Sequence, residues 1–351
     1  MAEPTPLARP RMLEISPSGE SAEHVSAAEV REHLLRTPRQ LPSRYFYDPL
    51  GSALFEAICR LPWYDITRVE SALLAAHAAE VFPPSAGFST LVELGSGSGA
   101  KLATLLRSAG ERSAGAAIHL VDVSRAALDV ATQTLTAAGA SEVSRHQLPY
   151  REGLAEALAG SRRGRTLVLF LGSNIGNFDP AESAAFLRDV RRGLSDGDGL
   201  LIGADLVKPE ADLLLAYDDP LGVTAAFDRN LLHRINRELD ADFRLDRFVH
   251  RARWNADASR VEMHLVSLDR QPVHVRAADL SFVLEAGESI WTESSYKFTR
   301  PGLVTMLEQA GFGMSRQWTD DRQRFALTMA GAGVPRRQRS LWPAREGEGR
   351  D

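Results

Sequence analysis

At 351 residues the chain is long enough for one large domain or two, and its 44% of hydrophobic residues suffice for a full core. Its 41 Lys and Arg against 46 Asp and Glu leave a net charge of −5, so no basic excess exists to displace counterions from a nucleic-acid backbone. The single Cys59 excludes an intramolecular disulfide and a cysteine-based zinc site.

Residues 1–25 are rich in Pro, Ser, Ala and Glu without periodicity and read as a disordered arm. No apolar leader stands at the start, and no stretch approaches the ~20 uncharged apolar residues of a membrane span. The expectation is a soluble, cytoplasmic, monomeric protein with no membrane partner. A helix is expected over 26–37 with Ser26 as its N-cap. Aromatic residues crowd positions 45–64. They read either as a loop packed on the core or as a lid whose tyrosine hydroxyls reach a ligand. A helix from Val69 to Val81 follows.

The run Leu91-Val92-Glu93-Leu94 ends in Gly95-Ser96-Gly97-Ser98-Gly99, and a helical pattern with Leu102, Leu105 and Leu106 comes next. Such a strand–turn–helix lets backbone approach a ligand and offers free N–H groups at the helix start. Gly95, Gly97 and Ala100 match the dinucleotide pattern G-x-G-x-x-G/A. Glu93, Gly95, Gly97 and Gly99 match the acid-x-G-x-G-x-G pattern of S-adenosylmethionine (SAM) enzymes. Charge separates the two, because Glu93 would repel a pyrophosphate and attract a sulfonium and an ammonium. SAM is the expected cofactor, and a NAD-dependent oxidoreductase is the rival.

The strand Ile118 to Val123 carries Asp122, about twenty residues past the turn, where an acid can bind ribose hydroxyls. Ser124 is expected to cap the next helix (Arg125 to Ala138) and leave Asp122 free. Thr166 to Leu171 is a continuous apolar run, read as a buried parallel strand. Its loop, Gly172 to Phe178, sits at the carboxyl edge where open α/β sheets bind ligands. A helix over 180–194 and a strand over 200–204 complete a strand–helix alternation. Helices at 208–218 and 223–239 follow. Phe243 to Trp254, Arg260 to Leu268 and Val273 to Leu284 then read as three long strands. A helix (Arg300 to Gly311) and a strand pair (312–318, 325–329) close the chain. The expected fold is α/β, a doubly wound, mostly parallel sheet with an inserted α+β substrate-binding subdomain. The cofactor domain spans 26–205 and 297–330, with 70–89 as a stretch that could pack with the insert. The insert spans 206–296, and 331–351 is a disordered tail. His233, His250, His264 and His274 stand singly, without metal-ligand spacing, and no metal is implied.

The ordered set of motifs resembles the SAM-dependent, histidine-specific methyltransferase family over about residues 30–330. The motifs are Tyr45-Phe46-Tyr47-Asp48 with Gly51-Ser52, Leu61-Pro62-x-Tyr64 with Thr67-Arg68, and Val92-Glu93-Leu94-Gly95-Ser96-Gly97. Phe170-Leu171-Gly172-Ser173-x-Ile175-Gly176-Asn177, Ala216-Tyr217-Asp218-Asp219 through Phe227, and Thr292-Glu293-x-Ser295-x-Lys297-Phe298 complete it. The family has a Rossmann-like class I methyltransferase fold. It trimethylates the α-amine of L-histidine to hercynine, a step of ergothioneine biosynthesis.

The resemblance implies roles. Asn177 and Tyr217 match the pair that holds the substrate carboxylate, and both can donate to it. Tyr47 matches a tyrosine near the reacting amine, and Gly172 supplies a carbonyl facing it. Tyr64, Glu293 and Ser295 match the imidazole pocket, with Met263 as an apolar wall. Gly95, Gly97, Lys101 and Asp122 match cofactor positions. One departure stands at His146-Gln147-Leu148-Pro149-Tyr150-Arg151, where Pro149 falls at the family's adenine-contacting Asp; Tyr150 by stacking, or Gln147 by hydrogen bonding, is the substitute. The alternatives are an N-methyltransferase of another amino acid, such as a tryptophan or histidine derivative, and a non-catalytic SAM-binding protein.

Overall fold

The computed structural model describes residues 24–83, 85–160, 164–313 and 315–333. The expected arm and tail fall almost entirely outside them. In chain order the elements are α1 (Ala27–Leu34), β1 (Arg39–Gln40), α2 (Pro49–Ile58), α3 (Ile66–Val81), β2 (Phe88–Leu94), α4 (Ala100–Ala109), β3 (Ala117–Val121), α5 (Arg125–Ala137), β4 (Val143–His146), α6 (Tyr150–Ala159), β5 (Arg165–Phe170), α7 (Pro180–Gly193) and β6 (Gly199–Asp205). They continue with α8 (Glu210–Tyr217), α9 (Val223–Leu239), β7 (Phe248–Asn255), β8 (Arg260–Ser267), β9 (Gln271–Val275), β10 (Leu280–Leu284), β11 (Ser289–Tyr296), α10 (Arg300–Gln309), β12 (Ser315–Thr319) and β13 (Phe325–Gly331).

The main sheet runs β12-β13-β6-β5-β2-β3-β4, parallel from β6 to β4, with β13 antiparallel to both its neighbours. Its central strands are apolar throughout because both faces are covered. Alternate residues serve opposite layers. Leu91, Leu167, Leu169 and Leu201 pack with Leu74, Leu102, Leu105 and Leu135 of α3, α4 and α5. Val92, Leu94, Val168, Phe170 and Ile202 pack with Leu154, Leu187, Val190, Leu303 and Leu307 of α6, α7 and α10. This is the doubly wound α/β sheet the strand–helix alternation implies.

A second sheet, β1-β11-β8-β7, lies beside the carboxyl edge of the first. Three observations here bear on the readings from sequence. First, β1 pairs in parallel with β11, Arg39 opposite Ile290, and α2 packs on α9. The stretch 39–58 therefore contacts β11 and α9 of the expected insert; a two-residue strand leaves no periodicity to read. Second, α3 packs on α4 and β13, which places residues 66–81 on the main sheet. Third, Val273–Leu284 is a hairpin, not one strand: β9 and β10 pair antiparallel around Arg276–Ala278, and Asp279 takes a left-handed φ of +45°. The helix expected over 26–37 is shorter, and Ser26 does cap it, accepting from the Glu29 N–H.

Candidate active site

The glycine turn leaves β2 with Gly95, Gly97 and Gly99 at φ +74°, +48° and +71°, a left-handed path that side chains resist. A Cβ on Gly95 would stand 2.7 Å from Asn174 Nδ2 and 3.1 Å from the Tyr150 hydroxyl, so the turn has no room for one. Glu93, one turn of chain earlier, is 2% exposed, and its Oε2 has no partner. Burial pushes its pKa up to about 8, against the pull of Lys101. Lys101 Nζ lies 2.7 Å from Glu70 Oε2, and the Gly172 N–H donates to both Glu70 oxygens at 2.8 and 2.9 Å. Asp122 is not free as expected. Ser124 caps α5, yet Asp122 also accepts from the Ser124 N–H at 2.9 Å and the Gly97 N–H at 3.1 Å, tying the turn to β3. Two amide donors leave lone pairs on that carboxylate for further donors.

The Tyr150 ring is engaged edge-on by Phe170 and Phe178, at 5.3 and 6.1 Å between centroids, and its hydroxyl is the end that reaches the turn. Gln147 Nε2 donates to the Val123 carbonyl at 3.5 Å. A buried carboxyl with one oxygen left without a partner, beside the glycine turn, fits a cationic cofactor.

Next to this edge lies a cleft of about 500 Å³, counted out to its mouth. Tyr47, Tyr64, Gly172, Asn177, Tyr217, Met263, Glu293 and Ser295 all line it, with Asn174 and Phe227 among the rest. Six parts of the chain bring them together. Tyr47 follows a 3₁₀ turn (Ser43–Phe46), and Tyr64 lies between α2 and α3. Gly172 and Asn177 belong to the loop after β5. Tyr217 ends α8. Met263 of β8 faces Glu293 of β11 across the pair, just past a register shift at Trp291/Glu293. The aromatic floor is Tyr47 against Phe55 and Phe227, and Tyr64 against Tyr217 at 6.2 Å.

Hydrogen bonds link residues that the resemblance assigns to different substrate groups. Asn177 Nδ2 donates to Glu293 Oε1 at 3.3 Å, and the Tyr217 and Ser295 hydroxyls meet at 2.8 Å. Burial pushes Glu293 up to about 7, with Asp228 adding to the rise and Lys297 and His250 opposing it. Burial likewise raises the Tyr47 and Tyr64 phenols well above their ordinary value, so both stay protonated at neutral pH.

Three buried charges behind the walls escaped sequence reasoning. Glu70 joins Lys101 to Gly172. Asp205, at the end of β6, takes Lys208 at 2.6 Å and Lys297 at 2.9 Å. His250 gives one ring nitrogen to Asp228 at 2.7 Å and the other to the Tyr217 carbonyl at 2.8 Å. Burial pushes His250 down, but Asp228 and that carbonyl outweigh it and hold the imidazole above its ordinary pKa. Charged residues inside helix or strand patterns read as solvated faces, and only Lys297 stood in a motif. Among the described residues no cluster of His, Cys, Asp and Glu could hold a metal, and no helix is long and apolar enough to cross a membrane.

The family described as histidine-specific, SAM-dependent methyltransferase matches residues 26–332. The chain is 43% identical to a histidine N-alpha-methyltransferase of Mycobacterium tuberculosis, over 89% of this chain and 97% of that one. The corresponding protein of Mycolicibacterium smegmatis is 41% identical over the same shares. An L-tryptophan methyltransferase of Psilocybe serbica is 28% identical over 91% of this chain and 97% of its own.

Proposed function

Since the chain belongs to the family of histidine-specific, SAM-dependent methyltransferases, we propose that it methylates the α-amine of L-histidine and carries the reaction through three transfers to hercynine. The observation that carries this reading is the single cleft lined by Tyr47, Tyr64, Asn177, Tyr217, Glu293 and Ser295 beside the glycine turn. Glu293 and Ser295 give the cleft a polar wall suited to an imidazole, which favours histidine over an indole. The 41–43% identity to relatives named for that activity supports it further.

The chain's own residues then have defined tasks. Glu93, Gly95, Gly97, Lys101, Asp122 and the Tyr150 hydroxyl would hold SAM. When bound, SAM supplies a methyl carbon already activated by its positive sulfur. What remains for the protein is alignment of the acceptor nitrogen. Asn177 and Tyr217 donate toward the substrate carboxylate, and Glu293 accepts from the ring N–H. Tyr47 keeps its proton, so it orients the amine and does not act as a base; the amine loses its proton to water. The Gly172 carbonyl, fixed by the Glu70 contact to its own N–H, faces the same nitrogen.

The experiment is incubation with SAM and a panel of amino acids, read by mass. Products heavier by about 14, 28 and 42 mass units are expected from L-histidine. A product that stops at one methyl would overturn the trimethylation, and a preference for tryptophan would overturn the acceptor.

A further inference from the structure

Lys297 is wholly buried where the two sheets meet. Its ammonium is ion-paired with Asp205 Oδ2 at 2.9 Å and donates to the Tyr217 hydroxyl oxygen at 2.8 Å and the Ser295 hydroxyl oxygen at 2.9 Å. Asp205 is held in turn by Lys208, and its own N–H donates to Ser173. The cation is thus anchored to the end of β6 and aimed at two hydroxyls that line the cleft.

Counting protons fixes what those hydroxyls present. Each has one proton to give, and each oxygen already accepts from Lys297. They stand 2.8 Å apart, so one proton fills the gap between them. The other has no acceptor among the described residues, and both residues line the cleft. With Lys297 in place the couple cannot turn both protons away from a ligand.

We propose that Lys297, pinned by Asp205, is a positioning residue that makes the Tyr217 hydroxyl, backed by Ser295, an obligatory donor for the carboxylate of the amino-acid acceptor. This rests on the reading of L-histidine as that acceptor. A cation directly behind the couple favours an anion in front of it. Glu293 occupies the other part of the same wall. As a carboxylate it repels a second one and accepts from a ring N–H. The substrate's acid end is thereby directed to the Lys297 side and its ring to the Glu293 side.

The test is calorimetry of L-histidine and of histamine, which lacks the carboxylate, binding to protein saturated with S-adenosylhomocysteine. Lys297→Met is expected to weaken L-histidine by roughly tenfold to a hundredfold, the range of a hydrogen bond to a charged group. Histamine and S-adenosylhomocysteine should bind as to the wild type. Equal weakening of both amines would overturn the proposal, because the couple would then serve the ring; unchanged L-histidine binding would do so too. If Lys297→Met loses S-adenosylhomocysteine as well, Asp205→Asn carries the test. It keeps Lys297 and the volume, and a histidine-to-histamine ratio equal to wild type would overturn the proposal. Failure of the wild type itself to bind L-histidine would sink the acceptor reading and this proposal together, and it would show before any substitution.

Discussion

Glu293 and Glu93 are buried carboxyls on either side of the site, held at about 7 and about 8 instead of the ordinary 4.5. Each binds its proton more tightly folded than unfolded. Stability of the ligand-free protein therefore falls as pH rises from about 4.5 through these values. Glu293 accepts from a ring N–H more strongly when ionised, so L-histidine binding should strengthen as pH rises through about 7 in the wild type. In Glu293→Gln that component should vanish, and the ligand-free variant should melt higher than wild type above pH 7. Calorimetry and melts across pH 5.5–8.5 (a window set about these values) would show it; parallel pH profiles would rule it out. At this scale most of the lining residues were legible because they are letters of the quoted motifs, whereas Phe55, Ile58 and Asn174 carry no such mark. Glu70 was not legible, since an acid on a helix reads as solvent-facing, and nothing near it in sequence reveals the donor corner that Lys101 and the Gly172 N–H make.

At the scale of elements, α3 can approach β6 so closely only because Gly203 lacks a side chain; a Cβ there would collide with the Glu70 carboxylate. Gly203→Ala is expected to cost about 1–3 kcal/mol, the usual penalty of overpacking. It should also weaken SAM binding, because Lys101 and Gly172 lose their common partner. Thermal melts with SAM calorimetry would check both, and undiminished SAM affinity in a destabilised variant would remove Glu70 from the cofactor side. The central strands of the main sheet were legible because burial on both faces leaves continuous apolar runs, whereas the edge strand β4, with Ser144, Arg145 and His146, and the helix α6 after it were not read. The β9–β10 hairpin was not. Its corner, Arg276-Ala277-Ala278-Asp279, contains neither Gly nor Pro, and Asp279 adopts the left-handed turn without announcing it.

Across the whole molecule, the cleft is closed by a segment from before the main sheet and by an insert from after its central strands. Asp48 is the joint. It accepts from the Gly51 N–H at 2.7 Å, Asn230 Nδ2 at 2.8 Å and Arg237 at 3.1 Å, fastening α2 and the neighbouring Tyr47 to α9. Burial pushes Asp48 up, but these donors outweigh it and hold its pKa below 3.8. Its contribution is therefore complete above that value and lost as pH falls below it. Asp48→Ala should cost about 2 kcal/mol or more, from a lost cap and charged hydrogen bonds. It should lower kcat through Tyr47 while leaving SAM affinity intact; a loss confined to SAM affinity would refute the joint. This join was illegible because its signal is a tertiary pairing. Local pattern shows that 41–64 is unusual, but not which surface it meets.

The same pairing has a consequence in time. Arg39 meets Glu288 across 249 positions, and the cleft needs Ser295 as its last lining residue. During synthesis, Tyr47 and Tyr64 leave the ribosome long before the strand that completes their pocket. The turn that meets the cofactor emerges midway, with strands β2 to β5 beside it. The acceptor pocket is therefore the part of the enzyme that folding finishes late, by the slow closure that distant contacts impose. A nascent or truncated chain ending before β11 carries the glycine turn but no complete place for an amino acid to dock.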